Sequence, residues 1–163
     1  MASEKTPEEW DEINKKVLGT GKMANTLMKA LAKRYSYRWQ FVDFLGPNGR
    51  ESAGVVDIVA IRKSGKKPTI TGLKSLDLFE IILIQVKGGS AGRPKPDDIN
   101  RLKLVQKHHD AHSVILFEWN KKKDLTQFSV LNDDYVWSKK SPAEIFGKVQ
   151  KVKKPSPQNR QRS

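Results

Sequence analysis

Two short apolar runs constrain what this chain can fold into. Val55 to Ile61, between Gly54 and Arg62, and Phe79 to Lys87, followed by Gly88, are rich in Val, Ile and Leu. Runs of this length and β-branched content read as buried strands rather than helices. The longest unbroken apolar stretches, Ile81 to Ile84 among them, fall far short of the roughly 20 apolar residues that cross a bilayer. No membrane segment is expected. Between the two runs, Lys63-Ser64-Gly65-Lys66-Lys67-Pro68 and a polar stretch to Asp77 are too long for a tight hairpin and read as a surface insertion.

Helix signals surround these strands. Thr6-Pro7-Glu8-Glu9 has the form of a helix start, with Thr6 as cap, Pro7 in the first turn and Glu9 at the capping-box position. That helix is expected to end near Gly19-Thr20-Gly21, with a second from Lys22 to Tyr35 on the spacing of Met23, Leu27 and Leu31. Arg38 to Leu45 reads as a strand closed by the turn Gly46-Pro47-Asn48-Gly49. After the loop Gly88 to Pro96, a helix is expected from about Asp97 to His109. Strands follow at Ser113 to Glu118 and Leu125 to Leu131, and Ser141-Pro142-Ala143-Glu144 starts a short last helix. Strands joined by short links pair antiparallel and strands joined through a helix can pair parallel, so the order predicts an α/β domain with a mixed β-sheet flanked by helices. The expected organisation is an N-terminal helical extension (1–21), one domain (22–147) and a basic, Pro-containing tail (148–163).

The charge balance points to a partner. The chain has 31 Lys and Arg against 18 Asp and Glu, a net +13. Such an excess says nothing about fold but favours polyanions, nucleic acid first among them. A highly soluble protein with a basic surface is the alternative. The chain has no cysteine, which excludes disulfides and Cys-ligated zinc. Its acidic, polar start (Glu4, Glu8, Glu9) is unlike a secretory signal, so an intracellular location is expected.

Side chains alternate along a strand. That puts Asp57 on one face with Val55 and Val59, and Gln85 and Lys87 on one face with Ile81 and Leu83. Asp57 falls near the start of its strand, and Gln85 and Lys87 at the end of theirs. Antiparallel pairing would bring all three to one rim. A carboxylate, an amide oxygen and an ammonium gathered there cost free energy to desolvate unless they bind something. Asp57, Gln85 Oε1 and the Val86 carbonyl are hard oxygen donors that suit Mg²⁺, and Lys87 would stand beside an attacking water or a phosphate. A cross-strand ion pair between Asp57 and Lys87 that closes the sheet edge is the other reading.

Gly-x-x-Asp-Ile-x-Ala at residues 54–60, followed by Gln85-Val86-Lys87, resembles the PD-(D/E)xK nuclease superfamily, and within it archaeal Holliday-junction resolvases and restriction-endonuclease-like proteins. The resemblance covers roughly Lys22 to Leu131. It implies a restriction-endonuclease-like sheet and a metal-dependent endonuclease acting on DNA, branched or duplex. It also implies Mg²⁺ or Mn²⁺ as cofactor, and a homodimer, because cutting two strands symmetrically takes two sites. By position, Asp57 and Gln85 correspond to the metal ligands and Lys87 to the catalytic lysine. This chain departs from the pattern at Gln85, where the family usually has an acid, and at Asn25, where it often has a helix glutamate. Glu51, six residues before Asp57, is a candidate migrated ligand; an ordinary loop carboxylate is the alternative. With an amide at both places, a non-catalytic nucleic-acid-binding protein that keeps the fold is the competing implication.

Other signals are weaker. Lys63, Lys66 and Lys67 in the insertion, and Arg93 and Lys95 in the loop after Lys87, are candidate phosphate contacts, as are Lys74 and Lys121 to Lys123. His108-His109-Asp110-Ala111-His112 straddles a helix end and lacks the spacing of a helical zinc site. The four tryptophans lie mostly beside apolar runs and are expected to pack.

Overall fold

The computed structural model describes residues 6–35, 38–45 and 53–147. The chain folds as a mixed α/β protein: one open six-stranded sheet, mostly antiparallel, with helices on both faces. The elements in order are α1 (Pro7–Tyr35), β1 (Gln40–Asp43), β2 (Ile58–Lys63), β3 (Phe79–Gly88), α2 (Pro96–His108), β4 (Ser113–Asn120), β5 (Leu125–Leu131), β6 (Trp137–Lys140) and α3 (Pro142–Phe146). Spatial order equals chain order, β1-β2-β3-β4-β5-β6. Only β3 and β4 run parallel, joined through α2; every other neighbouring pair is antiparallel.

The two apolar runs are the centre of the sheet. In β3, Ile82, Ile84 and Val86 enter the core beneath α1 with Ile58, Ala60, Ile115 and Phe117. Leu83 enters the core beneath α2 with Leu102, Val114 and Val55. Both faces of the strand are covered, which is why its sequence is a nearly continuous apolar run rather than an alternating one. On α1, Ala24, Met28 and Ala32 recur every four residues and are fully buried on this sheet. Trp39 locks the short α3 in place: its Nε1 donates to the Phe146 carbonyl at 3.1 Å, and the two rings meet edge to face at 6.1 Å.

Two expectations need correction. The break at Gly19-Thr20-Gly21 does not occur, and one 29-residue helix runs from Pro7 to Tyr35. A helical glycine costs only about 1 kcal/mol, and here tertiary packing outweighs it. The Thr20 turn lies against the end of β3, so close that a Cβ on Gly88 would meet the Thr20 carbonyl oxygen at 3.2 Å and the Ala24 Cβ at 3.1 Å. The boundary drawn at residue 21 therefore falls inside a helix. The second correction is a strand that was not anticipated. Trp137–Lys140 pairs antiparallel with β5 and forms one edge of the sheet. The Thr6 start behaves as expected: Thr6 N–H donates to Glu9 at 2.8 Å and Glu9 N–H to Thr6 Oγ1 at 3.3 Å. Among the described residues, no helix is long and apolar enough to cross a membrane.

Candidate active site

The rim where β2 begins and β3 and β4 end gathers the polar groups. Antiparallel pairing sets Ile58 opposite Ile84 and Lys63 opposite Phe79, so the start of β2 meets the end of β3. Asp57 precedes β2, and its N–H donates to the Ile84 carbonyl at 2.9 Å. Ile84 is also the partner of Ile58, so two residues stand opposite one, the arrangement of a β-bulge. A bulge re-aims a side chain, and here Asp57 Oδ2 accepts the Val86 N–H at 2.7 Å. The carboxylate thus reaches across to the backbone of β3 instead of simply standing off one face, as strict alternation predicts. Backbone groups of alternate residues point to the same side of a strand, which turns the Val86 carbonyl toward β2 as well.

Gln85 and Lys87 alternate with Ile84 and Val86 and so belong to the α2 face. Gln85 is buried, at 5% exposure, and its Oε1 has no hydrogen-bond partner among the described residues. A buried carbonyl left without a partner costs about 1–3 kcal/mol. Lys87 is partly exposed and lines a cleft of about 170 Å³ with Glu118, Asn120 and Lys123. Asp57, Gln85 Oε1 and the Val86 carbonyl are all oxygen donors, the class Mg²⁺ prefers. Among the described residues, no three His, Cys, Asp or Glu side chains form a metal-holding group. Glu51 lies outside the described residues.

Two carboxylates near this rim escaped the sequence reading. Glu118 is paired with Lys87 in the parallel register. Arg93 grips it with both arms, Nε to Oε1 and Nη2 to Oε2, each at 3.0 Å. Donation to the Glu118 carboxylate raises the Arg93 pKa against the opposing effect of burial. Arg93 therefore stands at the rim, already engaged. Asp43, at the end of β1, pairs with Ile58, and the next residue, Phe44, donates its N–H to the Asp57 carbonyl at 3.0 Å. Asn25, the residue matched to the family's helix acid, donates to Asp43 Oδ1 at 3.2 Å, and Lys29 to Oδ2 at 2.8 Å. Neither partnership has a local signal, since each joins residues far apart in the chain.

The Asp43 cluster gives a testable pH dependence. Burial pushes its pKa up, but hydrogen bonds from Lys29 and the Leu45 N–H, the Lys29 charge and Asn25 outweigh it, leaving the carboxyl below its usual 3.8. A carboxyl depressed by folding contributes stability above its unfolded pKa and loses it as pH falls through the folded value. Asp43→Asn should lower the thermal midpoint at neutral pH and flatten the acid limb below about pH 4. Melts across that range check it, and an acid limb as steep as wild type would refute the assignment.

The remaining residues divide by rim. Lys95 caps the start of α2 and is exposed, on the same side as Lys87. Lys63, Lys66 and Lys67 are elsewhere: Lys63 pairs with Phe79, which lies eight residue steps of strand from Lys87, about 26 Å at roughly 3.3 Å each. His108, His109 and His112 are exposed at the end of α2 and just beyond it, also on the far side. No family model, no curated protein and no solved structure matches this chain.

Proposed function

We propose that this protein is a metal-dependent DNA endonuclease that hydrolyses phosphodiesters, built on a restriction-endonuclease-like sheet and acting on branched or duplex DNA. The observation that carries the reading is the hydrogen bond from the Val86 N–H to the Asp57 carboxylate, on a strand whose adjoining residues are Gln85, with a buried Oε1 lacking a partner among the described residues, and Lys87. The order α1-β1-β2-β3-α2-β4 is that of the PD-(D/E)xK nucleases the sequence resembles. Asp57, Gln85 Oε1 and the Val86 carbonyl would hold Mg²⁺ or Mn²⁺, which supplies Lewis-acid polarisation of a phosphoryl oxygen and a water of lowered pKa. Asp57 is held to β3 by the Val86 N–H, and that tie would fix the direction from which its carboxylate holds the ion. The Lys87 ammonium offsets charge that develops on the phosphoryl oxygens in the transition state. Symmetric cutting of both strands would use a homodimer.

A non-catalytic DNA-binding role is favoured by one observation: Asn25 is committed to Asp43, so α1 offers the rim no acid at that position. Incubation with branched, flapped, single-stranded and duplex DNA in Mg²⁺ or Mn²⁺ separates the two. The nuclease reading expects metal-dependent cleavage that Lys87→Ala lowers by about a hundred-fold or more. Salt-sensitive binding without cleavage of any substrate would establish the binding role instead.

A further inference from the structure

The cleft beside Lys87 has features that the hydrolytic site does not use. It lies between residues 89–91, just after β3, and the β4–β5 turn, with Lys87 in one wall and Lys123 in the other. Its volume of about 170 Å³ exceeds the roughly 30 Å³ share of one water and falls below the roughly 300 Å³ where pockets for drug-sized ligands begin. That suits a phosphate group with a few waters, not a nucleoside. The lining mixes polar and apolar groups: Ser90 and Asn120 join the two lysines, Trp119 and Leu125 add apolar surface, and among the described residues Glu118 is the one acid in it. Glu118 is already neutralised by its two-armed bond to Arg93, so the lysine charge is left to face an anion.

The walls are also fixed in advance by one side chain. Asn120 Nδ2 donates to the Gly89 carbonyl at 3.0 Å, while Asn120 Oδ1 accepts the N–H groups of Lys122 at 3.1 Å and Lys123 at 3.2 Å. Gly89 N–H donates in turn to the Trp119 carbonyl at 2.7 Å, and Gly89 holds φ +65°, a conformation glycine accepts without strain. The two basic walls are thus tied together, and an arriving anion does not have to order them.

We propose that this cleft is a phosphate subsite that takes a backbone phosphodiester flanking the scissile one, with Lys123 as its cationic contact and Asn120 as the residue that positions both walls. The proposal rests on the nucleic-acid reading above, but not on the cleavage step. The test is fluorescence anisotropy with a labelled duplex of about 20 base pairs, without metal, over a series of salt concentrations. Lys123→Ala should weaken binding several-fold and lower the log–log salt slope by about 0.9, the value of one lost phosphate contact. Asn120→Ala should weaken binding with the slope unchanged, since it removes no charge. Lys139→Ala, exposed on β6, should change neither quantity.

A Lys123→Ala slope equal to wild type would overturn the subsite, as would an equal fall for Lys139→Ala, which would mean a diffuse basic surface. Displacement of the duplex by micromolar inorganic phosphate would make it a free-phosphate site and overturn the nucleic-acid assignment. The two proposals fail separately. Wild-type cleavage rates in Asp57→Asn would sink the nuclease site and leave the Lys123 result standing. Lys123→Ala binding like wild type while Asp57→Asn is inactive would sink the subsite alone.

Discussion

Asp57→Asn should abolish cleavage while leaving the fold intact, and Asp57→Ala should abolish cleavage and also destabilise the protein. Asp57 has two separable properties. Its Oδ2 accepts the Val86 N–H at 2.7 Å, and its negative charge would hold a divalent ion. Asparagine keeps an acceptor oxygen of the same reach and removes the charge. Losing one charge-stabilising group from a preorganised site typically costs about a hundred- to a thousand-fold in rate, and Asp57→Asn should fall at least that far in single-turnover cleavage. Alanine removes the acceptor too. The Val86 N–H would then lack its partner at a buried strand end, which costs about 1–3 kcal/mol. In a chain of this size that lowers the thermal midpoint by roughly 2–4 °C per kcal/mol. Matched melts and cleavage assays on the two variants therefore divide the residue's work between holding the sheet and doing chemistry. Asp57→Asn cleaving within a few-fold of wild type would place the active site elsewhere.

The sequence carried this rim unevenly, for identifiable reasons. Asp57, Gln85 and Lys87 were legible because the strands that bear them are continuous apolar runs, in which each polar residue is conspicuous. Their place at one rim of the sheet followed from antiparallel pairing alone. The bulge at Asp57 was not legible, since it depends on where β3 places the Ile84 carbonyl. Glu118 was hidden because its place beside Lys87 is set by the parallel register of β3 and β4, and Asp43 because its partners come from α1, 14 and 18 residues away. The helix break read at Gly19 to Gly21 failed in the same way: local propensity favoured an end, and packing of Thr20 and Ala24 on Gly88 overrode it. β6 escaped because Trp137-Ser138-Lys139-Lys140 is short, half-exposed and without strand-like alternation. Pairing direction was read from the chain; the exact register and the side-chain partners it brings together were not.

Gln85 offers the sharpest opposition between stability and function. Its Oε1 is buried without a partner among the described residues, so Gln85→Leu removes an unsatisfied carbonyl and puts apolar volume at a buried position. That should stabilise the protein by about 1–3 kcal/mol and raise the thermal midpoint by several degrees. On the proposed metal site the same change also deletes a ligand oxygen, so Mn²⁺ binding measured by calorimetry should weaken at least about ten-fold and cleavage should fall with it. Gln85→Glu should do the reverse. A second carboxylate beside Asp57, in a buried position, is disfavoured by desolvation and by like charge, so the metal-free variant should melt lower than wild type. A divalent ion would relieve both penalties. Its binding would recover stability by mass action, about 2.7 kcal/mol at a hundred-fold excess over the dissociation constant. The midpoint of Gln85→Glu should therefore climb with Mg²⁺ far more steeply than that of wild type. A residue present only for packing would show neither trend. If Gln85→Leu melts higher yet binds Mn²⁺ and cleaves as wild type does, Gln85 is no ligand, and the metal is held by Asp57 without it.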